Sequence, residues 1–196
     1  MIINGKALLK AAPIKDMIPD KQRAHGVSYG LSEVGYDIRI KQGVYFSPPQ
    51  PRTFAVLQRT MPTLDSHSYS SWCQQMDMAF FGFTVVYSED KEIITIGRTA
   101  LASSIEEFDI PSELWCEFRN KSTHARRFLD ATIGTDGEPG WQGFLTIEMI
   151  FHANEPFEIK AGSGILKAVF HTLTEEAQYK GGYQNQEDKP VPAKLI

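Results

Sequence analysis

The chain has 196 residues, 42% hydrophobic and 22% charged, with a formal net charge of −4 and two cysteines, Cys73 and Cys116. That length suits one well-buried domain and is short for two, and the acidity argues against broad nonspecific binding to nucleic acid. Two distant cysteines outside any CxxC pair suggest neither a disulfide framework nor a structural zinc site; they suit a reducing cytoplasm, and no run is long enough to cross a membrane.

The N-terminal ALLKAA predicts a short helix ended by Pro13, followed by a second short apolar turn that stops at Pro19. Lys6, Lys10 and Lys15 interrupt this region, so it lacks the unbroken apolar core of a signal peptide. Strand-like runs then dominate: YDIRI, GVYF, TFAVLQ, FFGFTVVYS, EIITI, LWCEF, FLTIEMIF, FEIK and ILKAVFHTL. They are short, rich in β-branched and aromatic residues, and separated by Pro, Gly, Asp and Ser, the pattern of an all-β sandwich or barrel without strand–helix alternation. Residues 47–78, from SPPQPR to SHSYSSWCQQMDM, read as a long irregular insertion of the kind that serves as a lid or interface element. A single domain is expected over residues 1–174, and the polar residues 175–196 as a flexible tail.

Four stretches could carry chemistry. Glu148 interrupts the apolar strand FLTIEMIFHA; alternation places Phe144, Thr146, Glu148 and Ile150 on one face and Leu145, Ile147, Met149 and Phe151 on the other. Its carboxylate is either solvated or buried because its chemistry is needed, and two largely apolar faces fit a simple half-wet strand poorly. RNKSTHARR gathers Arg119, Lys121, Arg126 and Arg127 around Ser122 and Thr123, which is either a solvated basic turn or a phosphate site. GTDGEPGWQG is a tight turn, or a place where backbone approaches a flat ligand. In YDIRI, Asp37 and Arg39 share a face, and a cross-strand ion pair is the plain account of them.

Taken together, these stretches resemble the dCTP deaminase family of the dCTP deaminase and dUTPase superfamily. VSYGLSEVGYDIRI is similar to the family's N-terminal motif, DIPSELWCEFRNKSTHAR to its central "IP"–strand–[RK]-S-[ST]-x-A-R segment, EPGWQGFLTIEM to its acid-P-G-W-x-G motif and the glutamate strand, and GGYQNQ to a glycine-rich tail ending in YxxQ. The matches run in order from residue 27 to residue 186. The resemblance implies a mainly β, dUTPase-like β-clip or distorted jelly-roll barrel with a few short helices, assembled as a homotrimer whose sites lie between subunits and are closed by the tail. It implies zinc-independent hydrolytic deamination of dCTP to dUTP, with Glu148 as general acid/base and Ser122 and Arg126 beside it. Lys121, Ser122, Thr123, Glu138, Trp141, Tyr179, Lys180 and Gln186 would contact the nucleotide, and Mg²⁺ would accompany the triphosphate. No P-C-x-x-C pair for a zinc deaminase occurs in the chain.

Three departures qualify this. Glu138 stands where many relatives have the aspartate that positions the phosphate-attacking water in dUTPases and bifunctional enzymes, which favours release of dUTP over dUMP. RFLDATIGTDG carries Asp130 and Asp136 in a segment that normally faces the base, leaving plain and modified cytosine both open. Gly182 replaces the lysine that commonly precedes the tail tyrosine, with Lys180 nearby. A bifunctional enzyme forming dUMP and diphosphate, or a non-catalytic nucleotide-binding regulator, are the alternatives.

Overall fold

The computed structural model describes residues 1–47, 85–89, 92–96, 98–134 and 136–194. Its elements, in chain order, are β1 (Ile2–Ile3), α1 (Gly5–Ala11), β2 (Gln22–Ala24), β3 (Val27–Leu31), β4 (Tyr36–Arg39), β5 (Gly43–Ser47), β6 (Val85–Glu89), β7 (Glu92–Ile96), β8 (Thr99–Asp109), β9 (Leu114–Asn120), α2 (Ser122–Ala125), β10 (Leu129–Asp130), β11 (Asp136–Gly137), β12 (Gln142–Phe151), β13 (Phe157–Ile159) and β14 (Gly164–Thr172). The mainly β expectation is met. Apart from Ser47, the insertion expected over 47–78 lies outside the described residues, as do TFAVLQ and the start of FFGFTVVYS.

The strands form three sheets: a seven-stranded sheet ordered β11-β9-β14-β4-β3-β2, with β1 also on β14; a three-stranded sheet β10-β12-β8; and a four-stranded sheet β13-β5-β7-β6. All pairings are antiparallel except β5 with β7. β14 lies between β4 and β9, and Ile165, Leu166, Ala168, Val169 and Phe170 along it are all fully buried. That explains why ILKAVFHTL reads as a nearly continuous apolar run: a strand covered on both faces has no solvent side to encode. Gly35 is required beside it, because its φ is +84° and a Cβ there would meet the Ala168 carbonyl oxygen at 2.1 Å.

The helix in ALLKAA forms and stops as the sequence dictates. Ala12 takes a left-handed conformation, its N–H bonds the Leu8 carbonyl at 3.0 Å, and Pro13 prevents continuation. Aromatic rings fill the core in two groups: Phe46, Phe151 and Phe157, with centroids 5.0–6.3 Å apart, and Phe108 with Phe118 and Trp141 at 5.6 and 5.7 Å.

β8 is the longest of the described strands, yet TALASSIEEFD shows no β-branched run. Its small residues are its reason for existing. Ala100, Ala102, Ser103 and Ser104 are buried against β12, and Gln42 bonds both the Ser103 N–H and hydroxyl. The ion pairs expected near β4 also form. Asp37 stands directly across from Lys167 on β14, while Arg39 gives both its backbone N–H and its Nε–H, each at 2.7 Å, to the buried Glu106 of β8.

Candidate functional site

β12 is the middle strand of its sheet, paired with β8 along its length and with β10 at its end. Its alternation is broken once: the register shifts between Phe144 and Thr146, and the Leu145 N–H bonds the Ser104 hydroxyl at 2.9 Å instead of continuing the ladder. The shift turns two consecutive residues, Leu145 and Thr146, toward the same cavity, and Glu148, Met149 and Ile150 line it farther along the strand. Glu148, opposite Leu101, is half-buried, and burial pushes its carboxyl above the ordinary value of 4.5. Gly134 lies against it: a Cβ there would be 3.1 Å from Glu148 Oε2.

The cavity measures about 810 Å³. Ile133, Trp141, Leu145 and Met149 give it an apolar wall, Asp136, Glu138 and Glu148 are charged side chains on it, and among the described residues no lysine, arginine or histidine lines it. Trp141 is fixed by its packing on Phe108 and by donating its indole N–H to the Tyr183 carbonyl at 2.7 Å.

The polar tail closes one side, contributing Tyr179, Tyr183 and Gln186. Its backbone runs alongside the start of β12, where the Phe144 N–H bonds the Gln186 carbonyl at 3.1 Å and the Asn185 N–H bonds the Gln142 carbonyl at 2.9 Å. The Thr146 hydroxyl donates to Gln186 Oε1 at 3.0 Å and accepts from the Val191 N–H at 3.0 Å, and the Gln184 amide donates to the Gly140 carbonyl at 2.8 Å. Gly143 permits the approach: its φ is +125°, and a Cβ would meet the Gln186 nitrogen at 2.4 Å.

Of the residues singled out in the sequence, Glu148, Glu138, Trp141, Tyr179 and Gln186 line this cavity. Lys180 does not; it is exposed within the tail. Lys121, Ser122, Thr123 and Arg126 also lie off the cavity wall. The Lys121 ammonium is directed inward, 2.5 Å from Asp37 Oδ2 and 2.8 Å from the Ser28 hydroxyl, whereas Ser122, Thr123 and Arg126 are exposed. Sequence reasoning missed Thr146 and Tyr183 as wall residues. Thr146 carried a usable signal, its placement two residues before Glu148 on the same strand face, and Tyr183 carried one as the tyrosine of the YxxQ tail motif.

With this geometry in view, a family model described as dCTP deaminase-like matches residues 8–173. The chain is 32% identical over 171 residues to a dCTP deaminase of Chlamydia caviae, covering 85% of this chain and 80% of the relative. It is 29% identical over 207 residues to a dCTP deaminase of Acidobacterium capsulatum, covering 98% and 99%. A crystal structure of 2'-deoxycytidine 5'-triphosphate deaminase from Agrobacterium tumefaciens aligns over 87% of this chain and 48% of that one, with a TM-score of 0.49 and 14% identity. The family model's span over most of the chain, with the relatives' agreement along it, places this protein in the dCTP deaminase-like family.

Proposed function

We propose that the protein hydrolyses dCTP to dUTP and ammonia, with Glu148 as the general acid/base. The observation that carries this reading is a half-buried glutamate in mid-strand, facing a cavity large enough for a nucleoside, with its proton affinity raised by burial. In the reaction, ionised Glu148 takes a proton from water as the oxygen attacks C4 of the cytosine. It passes that proton to N3, then takes the proton of the new C4 hydroxyl and gives it to the amino group, so that the C4–N bond breaks, ammonia leaves and the ring carbonyl forms. A carboxyl whose pKa lies nearer neutrality than usual is suited to both halves of that exchange.

Three carboxylates on the wall, with no cation among the described residues that line it, repel a triphosphate, so the phosphates call for added positive charge. Ser122, Thr123 and Arg126 are exposed, and their side chains make no hydrogen bond or ion pair among the described residues. Assembly as a homotrimer, in which the α2 segment of one subunit meets the Glu148 cavity of another, brings the two halves together, with Arg126 orienting the water and the carboxylate. Lys121, held by Asp37, adds its charge behind Ser122 and Thr123, and Tyr179, Lys180 and Gln186 close over the nucleotide. Mg²⁺ would arrive on the triphosphate's own oxygens.

A second reading rests on Glu138, whose presence in the same cavity as Glu148 would let it position water for attack on the phosphate, releasing dUMP and diphosphate. Incubating the protein with dCTP and Mg²⁺, with dUTP alone in parallel, and resolving the products by chromatography separates the readings. dUTP accumulating from dCTP with the dUTP control untouched is expected. dUMP would establish the second reading, and no turnover of either would sink both and favour a non-catalytic nucleotide-binding role.

A further inference from the structure

The residues around α2 divide by a spacing of three. Lys121, His124 and Arg127 contact neighbouring strands, Arg127 while remaining exposed, and Ser122, Thr123 and Arg126 face away, because positions three apart share a side of a single helical turn. The turn is closed by the His124 and Ala125 N–H groups bonding the Lys121 carbonyl at 3.0 and 2.9 Å. Each inward residue grips a different element. Lys121 pairs with Asp37 of β4. His124, 6% exposed, bonds the Gly164 carbonyl at the start of β14 through Nε2 at 2.9 Å. Arg127 lays its guanidinium over the Phe157 ring of β13 at 4.2 Å, and that ring also packs against the His124 imidazole with centroids 6.3 Å apart.

His124 is the unusual member. A carbonyl can only accept, so Nε2 carries the proton and Nδ1 is left as a buried acceptor without a hydrogen-bond partner among the described residues. Burial first, and then the charges of Lys121 and Arg127, hold the imidazole below its ordinary pKa, against the pull of the Gly164 carbonyl. An orphaned buried nitrogen is a standing cost, and an apolar residue would fill the space without it. The hydrogen bond to Gly164 is what the histidine adds.

We propose that His124 and Arg127 are positioning residues, which with Lys121 fix the α2 turn on three strands so that Ser122, Thr123 and Arg126 form a preset clamp for a polyphosphate. This rests on the phosphate role given above to Ser122 and Thr123, with Arg126 exposed on the same side of the turn, but not on deamination itself. A clamp built on a four-residue helix has little rigidity of its own, and misplacement of about 1 Å in a positioned group costs up to roughly 100-fold.

The test uses the full chain and inorganic tripolyphosphate, whose binding is read by titration calorimetry, with thermal melting alongside. His124→Phe keeps a ring and loses the donor. His124→Gln restores an N–H the same number of bonds from Cβ, and Arg127→Met removes the cation from Phe157 at a position whose side chain is exposed. His124→Phe and Arg127→Met are expected to bind roughly 10-fold more weakly, with melting temperatures near wild type, and His124→Gln within about 3-fold of it. Wild-type affinity in His124→Phe, failure of His124→Gln to rescue, or no binding by the wild type overturns the proposal. Should His124→Phe fail to fold, Arg127→Met decides by the same criterion. A wild type that binds tripolyphosphate and leaves dCTP intact overturns the deaminase reading alone.

Discussion

Replacing Asp37 with Asn tests how the basic turn is held. The side chain is 1% exposed, its Oδ2 lies 2.5 Å from the Lys121 ammonium and 2.9 Å from the Ser28 hydroxyl, and its Oδ1 lies 3.2 Å from Lys167. Asparagine matches it in shape, so the perturbation is one of charge. Lys121, 9% exposed, is then left with no carboxylate within reach and beside a second ammonium. Breaking a buried pair from one side costs about 3–5 kcal/mol, a large part of the roughly 5–15 kcal/mol of a typical domain. At roughly 2–4 °C per kcal/mol for a chain of this size, Asp37→Asn should melt about 6–20 °C lower. Lys121→Met should lose less, about 1–3 kcal/mol, since Asp37 keeps Lys167 and Ser28. Urea denaturation at low and high salt is the assay, and the loss should persist in high salt because a buried pair is weakly screened. Asp37→Asn lying within about 1 kcal/mol of wild type would refute the reasoning.

Glu148→Gln should lower deamination by roughly 10²–10⁴-fold while binding dCTP about as before, since only proton transfer is removed; chromatographic rates and equilibrium binding check this, and retained turnover would show the role misassigned. Because burial raises the Glu148 pKa, the ionised base is lost on acidification at a higher pH than for a free glutamate. The acid limb of kcat/KM should therefore fall above 4.5, and a limb at or below that value would contradict the half-buried site. Deleting everything after Gln178 removes the Tyr183 carbonyl that receives the Trp141 N–H and the Gln186 contacts to β12, and should leave a folded protein with little turnover; full activity would refute a closing role.

What the sequence showed and what it hid have physical reasons. Strands with one dominant composition, such as ILKAVFHTL and FLTIEMIF, were legible because burial on both faces demands apolar residues throughout. β8 was not, because its packing calls for small side chains, and Ala and Ser carry no strand preference of their own. Glu148 was legible as an anomaly, a charge in an apolar strand. The division of the basic turn into gripping and exposed residues was not, since Lys121 and Arg126 look alike in sequence and differ only in that Asp37 stands opposite one of them. The bulge at Leu145 was hidden too; it depends on the Ser104 hydroxyl from another strand.

The docking of the tail also bears on solubility. Between Gln142 and Phe144, β12 has β8 on one side, and on the other it meets only the tail, which takes the Phe144 N–H and supplies the Asn185 N–H to Gln142. Without the tail, the edge of β12 at Gln142–Phe144 would be bared, with unpaired backbone groups able to template another chain. The tail thus covers a strand edge as well as closing a cavity.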